Sequence, residues 1–241
     1  MDDPKHYRLP SIVSKGFTPK EISRVEEYVK TVAAQIVDNL LERFPNGECD
    51  FVEEIAAPLP LRIICEMMGI PPDDEKQIFA WTNTILGAGD PEYGGTFEKL
   101  MQDALEMFQY AQRLGEDRLA NPQSDLTSAL MHAEVDGERL TPQEFGSFFI
   151  LLVVAGNETT RNAISHGMRL LTLHPDQREM WFGGFEQHTR NAVEEIVRFA
   201  TPVIHFRRTV TETTELGGVR LEPGNKVVMF YCSANRDDSV F

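Results

Sequence analysis

The feature that most constrains the fold is a long stretch without proline, residues 145–173. A helix of about thirty residues is about 45 Å long at 1.5 Å per residue. The sequence Thr-Pro-Gln-Glu at residues 141–144 is a helix start, with a capping threonine, a proline at the first helical position and an acid at the third. His174 and Pro175 end the pattern. Because the first half is apolar on all sides, we expect this helix to run through the centre of the protein.

Most of the remaining chain also has the pattern of helices. Residues 18–21 repeat the start signal, and apolar residues then recur at helical spacing until the Phe-Pro-Asn-Gly of residues 44–47. A Pro-Leu-Pro sequence at residues 58–60 is expected to break the chain before a short apolar helix. The predicted helices cover residues 18–44, 61–68, 73–86 and 97–120.

After Pro202 the pattern changes to short strands. Residues 219–221 and 226–230 are predicted strands, with turns at Gly217-Gly218 and at residues 223–225. Many helices followed by a few strands predict a mainly α fold with a small β-sheet near the C-terminus. The sequence has no internal repeat and no low-complexity linker, which favours one domain over residues 1–241.

Charge and composition exclude several classes of partner. The formal net charge of −15 disfavours nucleic acid and anionic membrane surfaces, since both attract clustered Lys and Arg. The longest apolar run, residues 145–156, is too short to span a bilayer. No signal peptide precedes the first helix. The three cysteines, Cys49, Cys65 and Cys232, have no metal-binding spacing and fit a reducing cytoplasm, so we expect a cytoplasmic protein.

The long helix carries the most unusual polar residues, within the sequence Ala-Gly-Asn-Glu-Thr-Thr of residues 155–160. Glu158 and Thr159 follow an apolar run, beside a glycine that costs about 1 kcal/mol relative to alanine in a helix. The Thr159 hydroxyl can bond to the carbonyl of the preceding turn. Gly156 leaves space for a flat group, and an acid beside an alcohol can pass protons to it. A helix that reaches solvent at Asn157 explains this segment alone equally well.

Two further groups of charged residues follow. Glu195 and Arg198 are three apart near a helix end, where the planar guanidinium can hold carbonyls of the following chain. Such pairs are also common on exposed helices. Arg207 and Arg208 are adjacent in an extended segment, so they face opposite sides. An inward arginine needs an anionic ligand, whereas two solvated charges need none.

The order of these motifs resembles the cytochrome P450 family. Ala-Gly-x-Glu-Thr-Thr in a long helix is followed by Glu-x-x-Arg, by Arg with a later Glu-Leu-x-Gly, and by the Ala-Asn-Arg-Asp of residues 234–237. Residues 2–9 and 14–19 are similar to the helix C region of the family. The resemblance therefore extends from the helix C region to the strands after the Glu-x-x-Arg helix. Residues 153–162 are most similar to bacterial P450s that hydroxylate terminal carbons of methyl-branched lipids and sterol side chains.

The resemblance implies a role for each motif. Glu158 and Thr159 match the acid–alcohol pair that delivers protons to iron-bound dioxygen. Glu195 and Arg198 match the structural pair near the proximal side of the haem. The resemblance further implies haem contacts by His6, Ala155, Gly156 and Arg208, with His6 and Arg208 at the propionates, and a substrate pocket lined by Leu151, Val154, Ile204 and Phe206.

The implied reaction is the insertion of one oxygen atom into an unactivated C–H bond of an apolar small molecule, a lipid or a steroid side chain. The implied cofactor is haem b, iron protoporphyrin IX. The implied partners are dioxygen, a ferredoxin-type electron donor and its reductase, with electrons from NAD(P)H. No nucleic acid and no membrane span is expected.

Two departures from the family pattern affect the haem site. No cysteine of this chain lies in the expected haem-binding loop, and the thiolate is needed for O–O cleavage. We therefore expect no metal ligand in this chain and place the axial cysteine beyond Phe241. We expect the chain to be an internal fragment of a longer protein, cut at both ends. Pro10 stands where the family usually has a propionate-binding arginine, so we expect weakened haem anchoring and better haem retention after Pro10→Arg.

Three alternatives remain open from the sequence. The first alternative is a non-catalytic truncated P450 remnant that cannot bind haem. The second is a helical binding protein without haem. A metal-dependent helical lyase is the third alternative, since residues 73–75 are Asp-Asp-Glu. Acids at a helix start favour the helix dipole, so capping is the simpler explanation for them.

Overall fold

The computed structural model describes residues 5–14, 19–87, 96–134 and 137–241. Its backbone divides into two compact units, Met1–Arg161 (unit 1) and Asn162–Phe241 (unit 2). The prediction of a single domain over residues 1–241 stays a prediction.

Unit 1 is helical. Its helices, in chain order, are α1 (Lys5–Ser14), α2 (Pro19–Arg43), α3 (Pro58–Met68), α4 (Glu75–Leu86), α5 (Phe97–Ala120), α6 (Leu126–His132) and the first part of α7 (Pro142–Leu173). A π-helical turn at Val52–Ala56 precedes α3, and a 3-10 turn at Pro72–Asp74 precedes α4.

The long central helix is confirmed, and it begins where its capping sequence predicts. The Thr141 hydroxyl accepts a hydrogen bond from the Glu144 backbone N–H at 3.2 Å, while the Glu144 carboxylate accepts one from the Thr141 N–H at 3.0 Å. This reciprocal pair satisfies two backbone donors that a helix start otherwise leaves unpaired. α7 ends at Leu173.

The predicted break at residues 58–60 was wrong. α3 begins at Pro58, and Pro60 lies in its first turn. Prolines are tolerated there because the first N–H groups of a helix have no intrahelical acceptor to lose. Similarly, α1 continues through Pro10, whose side chain is exposed. Helix α6 and the π-helical turn had no prediction from the sequence.

The core of unit 1 is built around the first half of α7. Phe145, Phe149 and Val153, each four residues apart, have 0% of their surface exposed. They share one hydrophobic cluster with buried residues of other helices and of the segments that connect them, namely Ile12, Leu61, Ile64, Cys65, Met68, Ile70, Ile78, Trp81, Met107, Ala111, Leu114, Leu126, Leu130, Met131 and Leu140. The prediction of a buried first half is therefore confirmed for one face of the helix.

Unit 2 comprises the end of α7, three more helices and two small antiparallel sheets. Its further helices are α8 (Pro175–Gly183), α9 (Phe185–Ala200) and α10 (Tyr231–Ala234). Strand β1 (His205–Thr209) pairs with β4 (Lys226–Phe230), and β2 (Thr214–Leu216) pairs with β3 (Val219–Leu221). The two predicted strands are confirmed, as is the mainly α fold with a small β-sheet region near the C-terminus.

Unit 2 buries much less of its surface than unit 1. Among residues 162–241, all of which the structure describes, Gly167 and Thr201 are the ones classed as buried. In the described part of the whole chain, no helix combines the length and the hydropathy that crossing a bilayer requires.

Candidate active site

Helix α7 has two unlike faces in unit 1. One face carries the buried row of Phe149, Val153 and Asn157. On the other side, Leu151 is 59% exposed, Ala155 is exposed, and Thr159 is half-buried. Residues four apart share a helix face, so Leu151, Ala155 and Thr159 form a second row, mostly apolar and small at its centre. A largely exposed apolar row in the middle of a helix with a buried opposite face is suited to contact a flat apolar group.

The acid and the alcohol of α7 are both held by their own helix. The Thr159 hydroxyl donates to the Ala155 carbonyl oxygen at 2.8 Å, as the sequence predicted. The Glu158 carboxylate forms an ion pair with the Arg161 guanidinium, one turn along. The two side chains are only 24% and 14% exposed, so this pair is less screened by water than a surface pair.

Gly156 lies beside Ile64 of α3, with room for a methyl group at its Cα. A Cβ atom built at this position would lie 3.6 Å from the Ile64 Cδ1 atom, an ordinary van der Waals distance. Val154 is half-buried on the same helix. A planar apolar group fits the Leu151–Ala155–Thr159 row because Ala155 puts only a methyl group between such a group and the helix backbone. The predicted roles of these residues stay predictions.

In unit 2, Glu195 and Arg198 form a bidentate pair. The Arg198 Nε donates to Glu195 Oε2 at 2.7 Å, and Nη2 donates to Oε1 at 2.6 Å. The hydrogen bonds from Arg198 hold the pKa of the Glu195 carboxyl below its usual 4.5. The third nitrogen, Nη1, donates to the carbonyl oxygen of Asn235. The sequence-based hypothesis that this arginine holds a carbonyl of the following chain is consistent with this geometry.

The end of α9 is joined to the same segment by a residue that sequence reasoning missed. Thr201 is buried and has φ of 45°, in the left-handed region that non-glycine residues rarely adopt. Its hydroxyl donates to the Arg198 carbonyl oxygen at 2.7 Å and accepts from Asn235 Nδ2 at 3.2 Å. Arg236 donates to the Phe199 carbonyl oxygen at 2.7 Å. The only sequence signal was the Thr-Pro that follows the helix.

The predicted propionate and substrate residues of unit 2 lie on or beside β1. Arg208 pairs in register with Val227 of β4, and its guanidinium carbon lies 5.5 Å from the ring centroid of Phe206. Ile204 and Phe206 are 60% and 48% exposed. Arg207 and Arg208 are both exposed. The ligand contacts assigned to Ile204, Phe206 and Arg208 stay predictions, and the side chain of His6 lies outside the described part of the structure.

A groove of about 580 Å³ in unit 2 was also missed from the sequence. It lies between the end of α7 and helices α8 and α9. Its apolar side chains include Leu170, Leu171, Met180, Trp181, Ile196 and Phe199, and Glu195 and Arg198 also line it. The groove depends on the packing of three helices, which single-sequence periodicity does not define.

The three cysteines have different environments. Cys65 is fully buried, and burial raises the pKa of its thiol from 9.0 to about 12, with Glu75 and Asp74 adding to the effect. Cys49 is exposed and Cys232 is half-buried. A buried protonated thiol is a poor nucleophile and a poor metal ligand, so Cys65 has a packing role.

Known proteins with similar sequence or structure identify the class. Methyl-branched lipid omega-hydroxylase of Mycobacterium tuberculosis is 53% identical over 241 residues, which is 100% of this chain and 56% of that protein. Steroid C26-monooxygenase of Mycolicibacterium smegmatis is 43% identical over 100% of this chain and 55% of that protein. A cytochrome P450 of Mycobacterium marinum in complex with pseudoionone has a TM-score of 0.92 and 42% identity, over 100% of this chain and 58% of that one.

The chain belongs to the cytochrome P450 family and has the P450 fold over the region that it spans. It spans about half the length of the relatives it matches. No family model matches the chain. The family predicted from the order of the motifs is confirmed, and so is the similarity to lipid and steroid hydroxylases.

Proposed function

We propose that the protein containing this chain is a haem-thiolate monooxygenase that hydroxylates an apolar substrate, a lipid or a steroid side chain. The observation that carries the proposal is one turn of α7. In this turn the Glu158–Arg161 ion pair lies next to Thr159, which is the last residue of the largely exposed Leu151–Ala155–Thr159 row. The hydroxylase names of the relatives described above support the same reaction class.

Residues of this chain would hold haem b along the exposed row of α7. Ala155 and Gly156 offer a surface without bulky side chains, and Arg208 and His6 are the proposed propionate partners. When bound, haem with a thiolate ligand supplies the activation of dioxygen for insertion into a C–H bond. We assign none of the three cysteines of this chain, Cys49, Cys65 and Cys232, as the axial ligand of the haem iron.

Each residue of the α7 turn has a separate proposed task. Glu158, which pairs with Arg161, is the acid that passes protons towards the bound group. Thr159 holds a proton at its hydroxyl oxygen, and in this structure the hydroxyl donates a hydrogen bond to the Ala155 carbonyl oxygen. Leu151 and Val154, with Ile204 and Phe206, exclude water and bind the apolar part of the substrate. Glu195 and Arg198 maintain the backbone around Asn235.

The proposed partners follow from the reaction. Dioxygen is one substrate, and electrons arrive from a ferredoxin-type donor and its reductase. We propose a cytoplasmic location, supported by the absence of metal-binding or paired cysteine spacing in the sequence.

The test is the absorbance of the dithionite-reduced protein under carbon monoxide. We expect the complete gene product to give the band of thiolate-ligated haem and to hydroxylate a branched fatty acid or a sterol. Glu158→Gln and Thr159→Ala should keep the band but lower product per electron consumed, because proton delivery is impaired. A complete gene product without this band would contradict the proposal.

The second candidate is a non-catalytic remnant that cannot bind haem. It is favoured by the lack, among the cysteines of this chain, of one in the expected haem-binding loop. The 241-residue chain, reconstituted with haemin and reduced under carbon monoxide, separates the two. A thiolate-type band from this chain alone would rule out the remnant.

A further inference from the structure

A charged pair continues the exposed side of α7. Leu151, Val154, Ala155 and Glu158 follow the i, i+3, i+4, i+7 pattern of residues on one helix stripe. Each of the four is exposed or half-buried. Arg161 comes three residues after Glu158 and extends this stripe by one turn. The stripe proposed to face a flat apolar group therefore ends in an acid and an arginine.

Arg161 does not have the usual setting of an arginine on a helix. Because α7 continues to Leu173, Arg161 is not in the last turn, where a cation is stabilised by the helix dipole. It is not a solvated surface charge either, since its side chain is only 14% exposed. A charge that is shielded from water is costly unless it is paired and hydrogen-bonded, so the contact with the Glu158 carboxylate offsets part of this cost.

Two Glu–Arg pairs of the chain have the same spacing but differ in geometry. Arg198 donates one hydrogen bond to each carboxylate oxygen of Glu195. In the other pair, Arg161 Nη2 donates to Oε1 of Glu158, and the described residues make no hydrogen bond to Oε2. The Glu195 side chain is 59% exposed, whereas that of Glu158 is 24% exposed. Arg161 therefore holds one oxygen of a sheltered acid and leaves the second oxygen uncommitted.

This geometry is suited to an acid that transfers protons. A proton donor must stay within about 2.6–3.2 Å of the group that it serves, directly or through one water molecule. A glutamate side chain has many rotamers, and a charge-assisted hydrogen bond from a guanidinium restricts them more than a neutral one does. A carboxylate that is held by one oxygen can still take up and release a proton at the other.

We propose that Arg161 is a positioning residue for Glu158. Its guanidinium holds Oε1 and keeps the carboxylate on the α7 stripe, while Oε2 takes up the proton that is passed towards the bound group. The role rests on the proposed function, because it concerns the acid proposed to deliver protons. The ion pair on which it acts does not depend on that function.

The ion pair is tested by urea unfolding of the complete gene product, followed by circular dichroism. Glu158→Gln and Arg161→Gln should each lower the unfolding midpoint, and the double variant should lower it by less than the sum of the two. Arg169→Gln is the matched control, since it removes the same charge from an exposed position of α7 and should leave the midpoint unchanged. Additive shifts in the double variant would overturn the proposal.

The positioning role is tested by turnover of the haem-loaded protein. Arg161→Gln should lower product per electron consumed severalfold with the substrate KM unchanged, because the acid is misplaced and the apolar pocket is not. The same substitution made in Glu158→Gln should cause no further loss, because Arg161 acts through Glu158. Arg161→Lys should restore most of the coupling, since one ammonium N–H can hold one oxygen. Arg169→Gln should keep full coupling.

Two results would refute the positioning role. One is unchanged coupling in Arg161→Gln. The other is a further loss when Arg161→Gln is added to Glu158→Gln, which would show that the arginine supports the helix and not the acid. If Arg161→Gln fails to fold, a lysine variant that folds with low coupling would refute the role as well. Failure of the proposed function would be detected separately, as a missing thiolate-haem band in the unsubstituted protein.

Discussion

Units 1 and 2 are stabilised in different ways. Unit 1 has a continuous hydrophobic core that includes Phe145, Phe149 and Val153 of α7. Unit 2 has few buried residues and is tied together by side chains that bond to backbone carbonyls, with Arg198 reaching Asn235 and Arg236 reaching Phe199. This comparison indicates that the part of α7 in unit 1, which carries the proposed chemistry, is held in place by hydrophobic packing. The segment after α9 depends on a few directional bonds.

The largest expected effect comes from cutting into the core of unit 1. Phe149 has 0% exposure and lies 6.2 Å from the Phe145 ring and 6.1 Å from the Tyr110 ring, between ring centroids. Phe149→Ala should lower the free energy of unfolding by about 4 kcal/mol, as for other buried aromatic residues. Urea denaturation followed by circular dichroism measures this.

The matched control for the core is Leu151→Ala on the same helix, at a side chain that is 59% exposed. Its cost should be within about 0.5 kcal/mol. Equal costs at the two positions would contradict the assignment of opposite faces to α7.

Thiol labelling sharpens the comparison between the units. Burial raises the pKa of Cys65 in unit 1 from 9.0 to about 12, which lowers its thiolate fraction about a thousandfold at mildly alkaline pH. Half-buried Cys232 in unit 2 should therefore react with a disulfide reagent much faster than Cys65. Single-cysteine variants give the rates, and in urea the two should become similar. Comparable rates in the folded chain would show that unit 1 opens readily at α3.

Removing a directional bond should affect unit 2 and leave unit 1 unchanged. Arg198→Ala deletes the contacts with Glu195 and with the Asn235 carbonyl oxygen. We expect the amides around Asn235 to exchange with deuterium about tenfold faster, because hydrogen bonds to charged groups are the stronger ones. Arg190→Ala, on the exposed surface of α9, is the control. Faster exchange in α3 or α5 of unit 1 would contradict the independence of the two kinds of stabilisation.

The smallest expected effect is the response of unit 2 to acid. Arg198 holds the pKa of Glu195 below 4.5 in the folded chain, so the unfolded chain takes up this proton first as the pH falls. The contribution of the Glu195–Arg198 pair to the free energy of unfolding is therefore present above about pH 4.5. It is lost as the pH falls through the lowered pKa of Glu195. It should be small, because 59% of the Glu195 side chain is exposed and water screens the pair. Exchange around Asn235 should depend less on pH in Glu195→Gln, and an unchanged dependence would assign the effect to another acid.

Much of the fold could be predicted because its signals are local. The capping sequence at residues 141–144 and the turns at Gly217-Gly218 and residues 223–225 depend on neighbours within a few positions. The bond from Thr159 to the Ala155 carbonyl and the Glu195–Arg198 pair also lie within one helix turn. Such contacts follow from helix geometry wherever the helix forms.

Other features could not be predicted because they join residues that are far apart in the sequence. Arg118 is buried, pairs with Asp125 at 2.6 Å and donates to the Gly69 carbonyl oxygen at 2.9 Å. A Cβ atom at Gly69 would lie 2.2 Å from the Asp125 carboxylate. Neither the buried Arg118 of unit 1 nor the groove of unit 2 has a periodic signal in the sequence, because each depends on how separate helices pack.

The sequence by itself determined the family, the order of the elements and the residues of the α7 turn, because motif spacing and helix signals are properties of the chain. Only the tertiary structure decided which face of α7 is buried. Asn157 shows the physical reason. In sequence it is one more polar residue beside Glu158, but packing withdraws it from water on the core side of the helix and leaves its amide without a protein partner.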